Sequence, residues 1–259
     1  MNIVAVVSAK GGVGKTTVAA NLAAAVVAAG RRVTVIDLDP QNALRLHFGM
    51  PPERIEGTSR ATLGGAPWSS VVYAGRGGVS VLPYGAVNET DRHSFEQHLD
   101  THPDWLHSNL RSLDPASTEL VIIDTPPGPS VYLRQALSTA HFALTVVLAD
   151  AASYATIPMM EGLLGTYCAE RADFVGVAYV MNQVDQSRQL GRDVVKVLRN
   201  TLGSRVFPGL IHQDQAVGEA LACDQTVLEY DALCQATQDF KACAQWVMNA
   251  LDGAPGKRS

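Results

Sequence analysis

A glycine-rich segment follows the first apolar run and constrains the fold more than any other feature of the sequence. Residues 8–17 have the sequence Ser-Ala-Lys-Gly-Gly-Val-Gly-Lys-Thr-Thr, between a β-branched run at 3–7 and an alanine-rich stretch at 15–29. Glycines allow a backbone to turn several N–H groups inward around one anion, and a following helix adds the positive end of its dipole. The segment therefore predicts a strand, a phosphate-binding loop and a helix in immediate succession.

Side chains of this loop suit a nucleotide and its metal ion. Lys15 is expected to supply a positive charge to the β- and γ-phosphates, and the hydroxyl of Thr16 is a ligand suited to Mg²⁺. The ordinary form of such a loop has glycine where this chain has Ala9, and this chain carries a second lysine, Lys10. The predicted nucleotide-binding residues of the loop are Lys10, Gly11, Gly12, Val13, Gly14, Lys15, Thr16 and Thr17.

Strand-like and helix-like segments alternate along the rest of the chain. The apolar runs are typical of strands buried on both faces of a parallel sheet, and they lie at residues 33–37, 79–82, 120–124, 143–148 and 176–181. Parallel strands need crossover connections, and helices are predicted at residues 157–171, 187–202, 215–222 and 232–251. The alternation predicts a single doubly wound α/β domain with a mostly parallel central sheet flanked by helices.

The domain is expected to span residues 1–251, with two segments that depart from the alternating pattern. Residues 51–78 have weak periodicity and are predicted to form a loop or an insertion. Residues 252–259 are mostly small, polar and basic, and they are predicted to form a disordered tail.

Acidic residues stand at the carboxyl ends of two predicted strands. Asp37 and Asp39 follow the strand at 33–37, and Asp124 closes another. Because the carboxyl ends of parallel strands meet at the edge where ligands bind, all three are expected beside the phosphate loop. Mg²⁺ prefers oxygen ligands and keeps several waters, so Thr16, Asp37 and Asp124 are the predicted metal-site residues. A cap or a turn is the alternative role for Asp37 and Asp39.

The sequence Lys-Gly-Gly-Val-Gly-Lys-Thr at residues 10–16 resembles the deviant Walker A motif of the MinD/ParA family of P-loop ATPases. The resemblance implies ATP and Mg²⁺ as ligands, with Lys10, Lys15 and Asp39 as catalytic residues. In this family, the lysine that matches Lys10 reaches the phosphates of a neighbouring subunit. The aspartate that matches Asp39 orients or activates the attacking water. ATP is thus expected to hold a homodimer together, and slow, dimer-dependent hydrolysis to release it. Residues 125–128 resemble the segment that senses the γ-phosphate.

The same resemblance implies positions that contact adenine. Asn182, at the end of a predicted strand, matches the asparagine that contacts adenine in the family, although a strand-end turn is its alternative role. Residues 210–214, Leu-Ile-His-Gln-Asp, stand where the family carries a proline-containing adenine loop. His212 and Asp214 are therefore predicted to bind ATP, and His212 departs from the family pattern.

Further stretches look like the BcsQ family (also called YhjQ), accessory ATPases of bacterial cellulose synthesis. Residues 39–49 begin Asp-Pro-Gln-Asn-Ala, which departs from the start usual in partition ATPases, and residues 81–85, 210–221 and 227–230 add to the likeness. The resemblance runs from residue 1 to about 250. It implies a cytoplasmic regulator of the inner-membrane cellulose synthase complex that works with a small BcsR-like partner and with BcsE. Some members concentrate at a cell pole.

The net charge and the positions of the basic residues bear on the alternative functions. A formal net charge of −5 disfavours an extended basic surface for nucleic acid, so no stable nucleic-acid complex is expected. One helix face nevertheless carries a basic stripe, which consists of Arg188, Arg192, Lys196 and Arg199. This stripe leaves open a ParA-type ATPase that positions DNA or cargo, contact with an acidic partner, or a solvated helix face.

Two other functions are disfavoured. A membrane-cycling division regulator needs a C-terminal amphipathic helix with a basic face, whereas Phe240, Ala244, Val247 and Leu251 indicate core packing. An iron–sulfur carrier is disfavoured because the four cysteines form no C-x-x-C pair, and the same usage fits a reduced cytoplasmic compartment. No apolar stretch reaches the roughly 18 residues of a membrane-spanning helix, so direct membrane insertion is not expected.

Overall fold

The computed structural model describes residues 1–113 and 117–253, and at its centre lies a seven-stranded sheet. The strands are β1 (Asn2–Val7), β2 (Val33–Asp37), β3 (Tyr73–Ala74), β4 (Ser80–Leu82), β5 (Leu120–Asp124), β6 (Phe142–Leu148) and β7 (Gly176–Asn182). Their spatial order is β3-β4-β2-β5-β1-β6-β7, and every neighbouring pair is parallel except β3–β4. The predicted doubly wound, mostly parallel sheet is confirmed.

Helices connect the strands and cover the sheet. The α-helices of the described residues are α1 (Lys15–Ala28), α2 (Thr58–Gly64), α3 (Glu89–Thr101), α4 (Trp105–Leu110), α5 (Val131–Thr139), α6 (Ala151–Cys168), α7 (Gln189–Leu202), α8 (Gln215–Ala222), α9 (Val227–Tyr230) and α10 (Gln235–Asp252). Short 3-10 helices lie at Leu44–Phe48, Trp68–Ser70, Arg76–Gly78 and Gly203–Arg205.

Both faces of the sheet are buried, which explains the unbroken apolar runs of the strands. In β1, Val4 and Val6 belong to an apolar cluster that also contains residues of α1 and α10. Ile3, Ala5 and Val7 belong to a second cluster, with residues of α3, α4 and α5. Successive side chains of a strand point to opposite faces, so a strand covered on both sides requires apolar residues at every position.

Residues 51–78, which were predicted to form a loop or an insertion, do not form a loop. This part of the chain contains α2, two 3-10 helices and strand β3, which pairs antiparallel with β4. Trp68 is fully buried there, and its ring makes an edge contact with Trp105 at a centroid distance of 5.1 Å. Elements of two to seven residues are too short to show a helical or strand period, so the pattern alone did not reveal them.

Helices α3, α4 and α5 were not predicted either. Helix α3 buries only Phe95 and Leu99 among thirteen residues, so its sequence is polar and resembles that of a loop. Its start is marked by Asn88, whose side chain accepts a hydrogen bond from the backbone N–H of Asp91. This cap satisfies a backbone donor that the helix itself leaves unpaired.

The C-terminal helix packs into the core as predicted. In α10, Phe240, Ala244, Val247 and Leu251 are all buried, and the helix packs against α1. Helix α10 continues through Asp252, one residue beyond the predicted end of the domain. Most of the predicted tail, residues 254–259, lies outside the described residues. Within the described part of the chain, none of the helices combines the length and the apolar character needed to cross a bilayer.

Candidate nucleotide-binding site

The phosphate loop connects β1 to α1 and depends on glycine at two positions. Gly12 and Gly14 both have a φ of 78°, in the left-handed region that side chains disfavour. Gly14 is also the residue that precedes α1, and a Cβ there would lie 2.4 Å from Nδ2 of Asn182. The loop therefore requires glycine at position 14 for its backbone conformation and for its close contact with β7.

Asn182 holds the phosphate loop from the neighbouring strand end. Its Nδ2 donates a hydrogen bond to the backbone carbonyl of Val13 at 2.8 Å, and the side chain is buried. This contact assigns Asn182 a role in shaping the loop that sequence analysis did not include. Asn182 also lines a cavity beside the loop, so its predicted contact with adenine stays a prediction.

Lys15 and Asp124 form a buried ion pair at the base of the loop. The distance from Nζ of Lys15 to Oδ1 of Asp124 is 2.5 Å. The hydroxyl of Thr16 faces the same carboxyl group and, like Lys15, lowers its pKa. Burial raises the pKa of Asp124, and the positive charge of Lys15 opposes this shift. The three predicted side chains thus meet at the carboxyl edge of the sheet.

The second carboxylate oxygen of Asp124 indicates how Mg²⁺ would fit. Oδ2 of Asp124 is buried and has no hydrogen-bond partner among the residues that the structure describes. A buried carboxylate oxygen without a partner is costly. The hydroxyl of Thr16 faces the same carboxyl group. Hard oxygen ligands of this kind suit Mg²⁺ or its bound waters. Thr16 and Asp124 therefore fit the predicted metal site.

Asp37 lies beside Asp124 and holds the loop that follows β2. The Cα atoms of the two residues are partners in the parallel register of β2 and β5. Oδ1 of Asp37 accepts the backbone N–H of Asp39 at 2.9 Å, and Oδ2 accepts that of Leu44 at 3.1 Å. Burial raises the pKa of Asp37 well above its ordinary value, and the neighbouring charge of Asp124 raises it further. Asp37 thus positions the loop, and its contact with the water shell of Mg²⁺ stays a prediction.

Asp39 lies on the wall of the phosphate cavity. This cavity has a volume of about 220 Å³ and is lined by the phosphate loop together with Asp39, Gln41 and Pro127. Oδ1 of Asp39 accepts the backbone N–H of Gln41 at 2.9 Å, which is the geometry of a turn. The location suits the predicted contact with the attacking water, and that role stays a prediction.

The segment at residues 125–128 packs against the phosphate loop. The hydroxyl of Thr125 donates to the backbone carbonyl of Val6 at 3.1 Å, and the N–H of Gly128 donates to the carbonyl of Ser8 at 2.9 Å. These two bonds place Pro127 at the cavity wall. The response of this segment to a terminal phosphate, which the family resemblance implies, stays a prediction.

Lys10 contacts Asp150 of its own chain. Nζ of Lys10 lies 2.9 Å and 3.1 Å from the two carboxylate oxygens. Asp150 also caps α6, because its Oδ1 accepts the backbone N–H of Ser153 at 2.6 Å. Sequence analysis did not single out Asp150. Its position shortly after the buried strand β6, comparable to that of Asp124 at the end of β5, is the signal that could have identified it.

A second cavity, called here the base cavity, adjoins the phosphate loop. It has a volume of about 270 Å³, and its lining includes Thr17, Asn182, His212, Asp214 and Phe240. The structure therefore brings together the residues that were predicted to contact adenine.

Asp214 has a structural role in the wall of the base cavity. Its Oδ1 accepts the backbone N–H of Ala216 at 3.0 Å and so caps α8, and its Oδ2 accepts the N–H of Ala236 at 3.1 Å. Both carboxylate oxygens thus already hold backbone groups. Its predicted contact with ATP stays a prediction, and the capping role has direct geometric support.

The basic stripe on α7 makes contacts within its own chain. Arg188 pairs with Asp185 at 3.0 Å, and Lys196 lies 3.8 Å from Asp193. Arg192 donates to the carbonyl of Gln186 at 2.6 Å. The remaining member, Arg199, donates to the carbonyl of Pro208 at 2.7 Å. These contacts are those expected of a solvated helix face with local charge pairs.

Comparisons with known proteins agree with this site. The sequence matches the family described as cellulose biosynthesis protein BcsQ over residues 1–248. It is 27% identical to the cellulose biosynthesis protein BcsQ of Escherichia coli, covering 98% of this chain and 96% of the relative. It is 30% identical to the chromosome-partitioning ATPase Soj of Thermus thermophilus, covering 97% of each chain.

A solved structure shares the fold. The septum site-determining protein MinD of Pyrococcus horikoshii, complexed with Mg-ADP, superposes with a TM-score of 0.78 over 95% of each chain at 22% identity. The architecture is therefore that of the MinD/ParA P-loop ATPases. With the family match over nearly its whole length, the chain belongs to the BcsQ family of cellulose biosynthesis proteins.

Proposed function

We propose that this chain is an ATP-dependent dimerising switch that hydrolyses ATP with Mg²⁺ and serves as an accessory regulator of bacterial cellulose synthesis and secretion. The observation that carries the proposal is the arrangement of Lys15, Thr16 and Asp124 beneath a glycine loop at the carboxyl edge of the sheet. The relatives add support, since one is named as a cellulose biosynthesis protein and another as an ATPase.

Each part of the site has a separate task in this proposal. The backbone N–H groups of the loop and the ammonium group of Lys15 bind the β- and γ-phosphates. Thr16 and Asp124 would hold Mg²⁺, which would neutralise charge on the phosphate oxygens. Asp39 orients the attacking water from the cavity wall, and Asp37 fixes the loop on which Asp39 lies.

Lys10 acts across the interface between two subunits. Its side chain lies at the wall of the phosphate cavity and is 28% exposed, so a second copy of the chain has access to it. A cation brought to the transferring phosphoryl group stabilises the charge that develops there. Because the cation comes from the partner, hydrolysis depends on dimerisation, and loss of the terminal phosphate then releases the subunits.

An exposed apolar side chain beside Asp150 supports the same interface. Leu190, in the first turn of α7, is 73% exposed. It lines an open cavity of about 250 Å³ together with Asp150 and Gln183. A second copy that approaches Lys10 would cover this leucine, and burial of a leucine side chain contributes about 2 kcal/mol.

The cellular role follows from family membership. We infer that the switch works in the cytoplasm with a small BcsR-like partner, with BcsE and with the inner-membrane cellulose synthase complex. Recruitment to the inner-membrane face or to a cell pole belongs to the same proposal. The printed names of relatives support the link to cellulose biosynthesis.

The alternative is a ParA-type ATPase that positions DNA or cargo through nonspecific DNA binding. Its support is the 30% identity to Soj and the exposure of Arg188 and Lys196, whose side chains are 80% and 74% exposed. A gel-shift experiment with nonspecific DNA, with and without ATP, separates the two functions. Tight, ATP-dependent shifting that weakens steeply with salt would favour the alternative.

A complementation experiment tests the switch and the trans role of Lys10 together. Lys10→Ala should bind ATP but neither dimerise nor hydrolyse it, and Asp39→Ala should form a long-lived ATP dimer without turnover. In a mixture of the two variants, the Lys10→Ala subunit keeps Asp39 and receives Lys10 from its partner. Hydrolysis should therefore return in the mixture, measured as phosphate release, with light scattering to follow dimers. A mixture that stays inactive although mixed dimers form would show that Lys10 does not act in trans.

A further inference from the structure

A buried carboxylate on α10 holds both the backbone and the ring of His212. Oδ2 of Asp239 accepts the backbone N–H of His212 at 2.9 Å and lies 2.7 Å from ring nitrogen Nδ1. Its Oδ1 accepts a hydrogen bond from Nε2 of Gln235 at 2.8 Å. Three donors thus converge on the two oxygens of one buried side chain, the arrangement that an ionised carboxylate requires.

These contacts fix the position of the proton on the His212 ring. An ionised carboxylate only accepts hydrogen bonds, so Nδ1 carries the proton that it donates to Asp239. The other ring nitrogen, Nε2, lies 2.9 Å from the amide nitrogen of Gln186. A side-chain amide nitrogen only donates, so Nε2 is an acceptor. Its one lone pair receives the N–H of the exposed Gln186 side chain, which the amino group of a bound base would replace.

The ring of His212 lines the base cavity, next to the phosphate loop. We propose that Asp239 is a positioning residue for base selection: it holds the proton of His212 at Nδ1 and so keeps Nε2 as an acceptor that favours adenine over guanine. Adenine carries an amino group at C6, which donates to an acceptor, whereas guanine carries a carbonyl oxygen there. This inference rests on the proposed function, in which the phosphates of a nucleotide bind at the adjacent loop.

A second, reciprocal contact holds residues 210–214, called here the base loop, against α10. Asp239 of the helix accepts from His212 of the loop, and Asp214 of the loop accepts the backbone N–H of Ala236 of the helix. The loop and the helix are therefore joined by two contacts, one to a carboxylate of the helix and one to a carboxylate of the loop. Loss of the Asp239 side chain leaves the Asp214 contact in place, so the main consequence falls on the proton of the His212 ring.

Three variants separate the role of Asp239 from general stability. Asp239→Ala removes the acceptor, so nothing holds the proton at Nδ1 and the form with the proton on Nε2 becomes available. Asp239→Asn keeps a carbonyl oxygen that accepts both N–H groups of His212, and it is the conservative rescue. Asp252→Asn, at the end of the same helix, is the matched control because its side chain pairs only with exposed Arg31 among the described contacts.

The experiment measures the ratio of the dissociation constants of GTP and ATP with Mg²⁺ present, using the full chain. Asp239→Ala should lower this ratio by about tenfold. With the proton on Nε2, the His212 ring would donate to the carbonyl oxygen of guanine and would face the amino group of adenine with a second donor. Asp239→Asn and Asp252→Asn should stay within about twofold of the parent. Nitrogen NMR of the ring should show His212 protonated at Nδ1 in the parent and in Asp239→Asn, and at Nε2 in Asp239→Ala.

The outcomes distinguish this inference from the proposed function. A parent protein that binds neither nucleotide would overturn the proposed function, and the inference with it. A parent that binds ATP and GTP equally, or carries the His212 proton on Nε2, would overturn the inference alone. Equal loss of selectivity in Asp239→Ala and Asp239→Asn would do the same, because it would assign the effect to charge rather than to the ring proton.

Discussion

The ammonium nitrogen of Lys10 lies 2.9 Å from Oδ2 of Asp150, and Asp150 is also the residue that caps α6. The lysine that is proposed to act on a partner subunit is therefore paired within its own chain. Both side chains are partly exposed, so the pair contributes about 1 kcal/mol or less. A contact of this strength restrains Lys10 in the monomer and yields readily when a second copy approaches.

Asp150→Asn should make ATP-dependent dimers form more readily. Asparagine still caps a helix, so α6 stays intact, but it lacks the negative charge that holds Lys10. The protein concentration for half-maximal dimerisation under Mg-ATP should fall by up to about fivefold, measured by analytical ultracentrifugation. Asp193→Asn, which removes the exposed partner of Lys196, is the matched control and should leave it unchanged. An unchanged dimerisation constant in Asp150→Asn would contradict a restraining role for the ion pair.

Lys15→Ala should abolish most of the affinity for ATP and also destabilise the fold. It leaves the carboxylate of Asp124 buried without its partner, which costs about 3 kcal/mol of unfolding free energy. Adding Asp124→Asn removes the unpaired charge, so the double variant should regain stability without regaining ATP binding. Urea unfolding and calorimetric titration measure the two effects separately. Unchanged nucleotide binding in Lys15→Ala would show that the loop is not the phosphate site.

Gly14→Ala should weaken ATP binding more than Gly12→Ala. The two glycines have the same φ of 78°, so the backbone strain of the substitution is similar at both positions. At Gly14 the new Cβ would lie 2.4 Å from Nδ2 of Asn182, whereas nothing lies within 4 Å of a Cβ at Gly12. The difference in ATP affinity measures how far the Asn182 contact shapes the loop. Equal losses in both variants would mean that only backbone conformation matters.

His47 should make the protein less stable in mild acid. Burial lowers its pKa to about 4 from an ordinary 6.5, so the folded protein keeps the ring neutral while the unfolded chain takes up a proton. The stabilising contribution is complete above the unfolded pKa and is lost as the pH falls toward the folded pKa. Between pH 7 and pH 5 the loss is about 2 kcal/mol of unfolding free energy.

His47→Gln tests this assignment by urea unfolding at the two pH values. The variant should show a smaller loss of stability between pH 7 and pH 5 than the parent, whatever its stability at neutral pH. His107→Gln, an exposed histidine on α4, should keep the pH dependence of the parent. If His47→Gln keeps the full loss, the acid sensitivity belongs to other groups.

The sequence by itself determined the centre of the fold and the phosphate-binding half of the site. The predicted bounds of β2, β5 and α8 agree with the structure residue for residue. Buried parallel strands need apolar residues at every position, and an anion-binding loop needs glycine where φ is positive. Both requirements concern consecutive residues, so they can be recognised in the sequence. Short or polar elements, such as α2 and α3, show no such pattern in their sequence.

Only the tertiary structure decided which side chains pair across the site. Asp150 reaches Lys10 over a separation of 140 residues because β6 lies next to β1 in the sheet. Asp239 reaches His212 because α10 packs beside the base loop, and nothing in the helical pattern around Asp239 marks it. Local sequence determines the longer apolar strands and helices. The order of strands and the packing of helices bring distant charges together, because a side-chain contact acts only over a few ångströms.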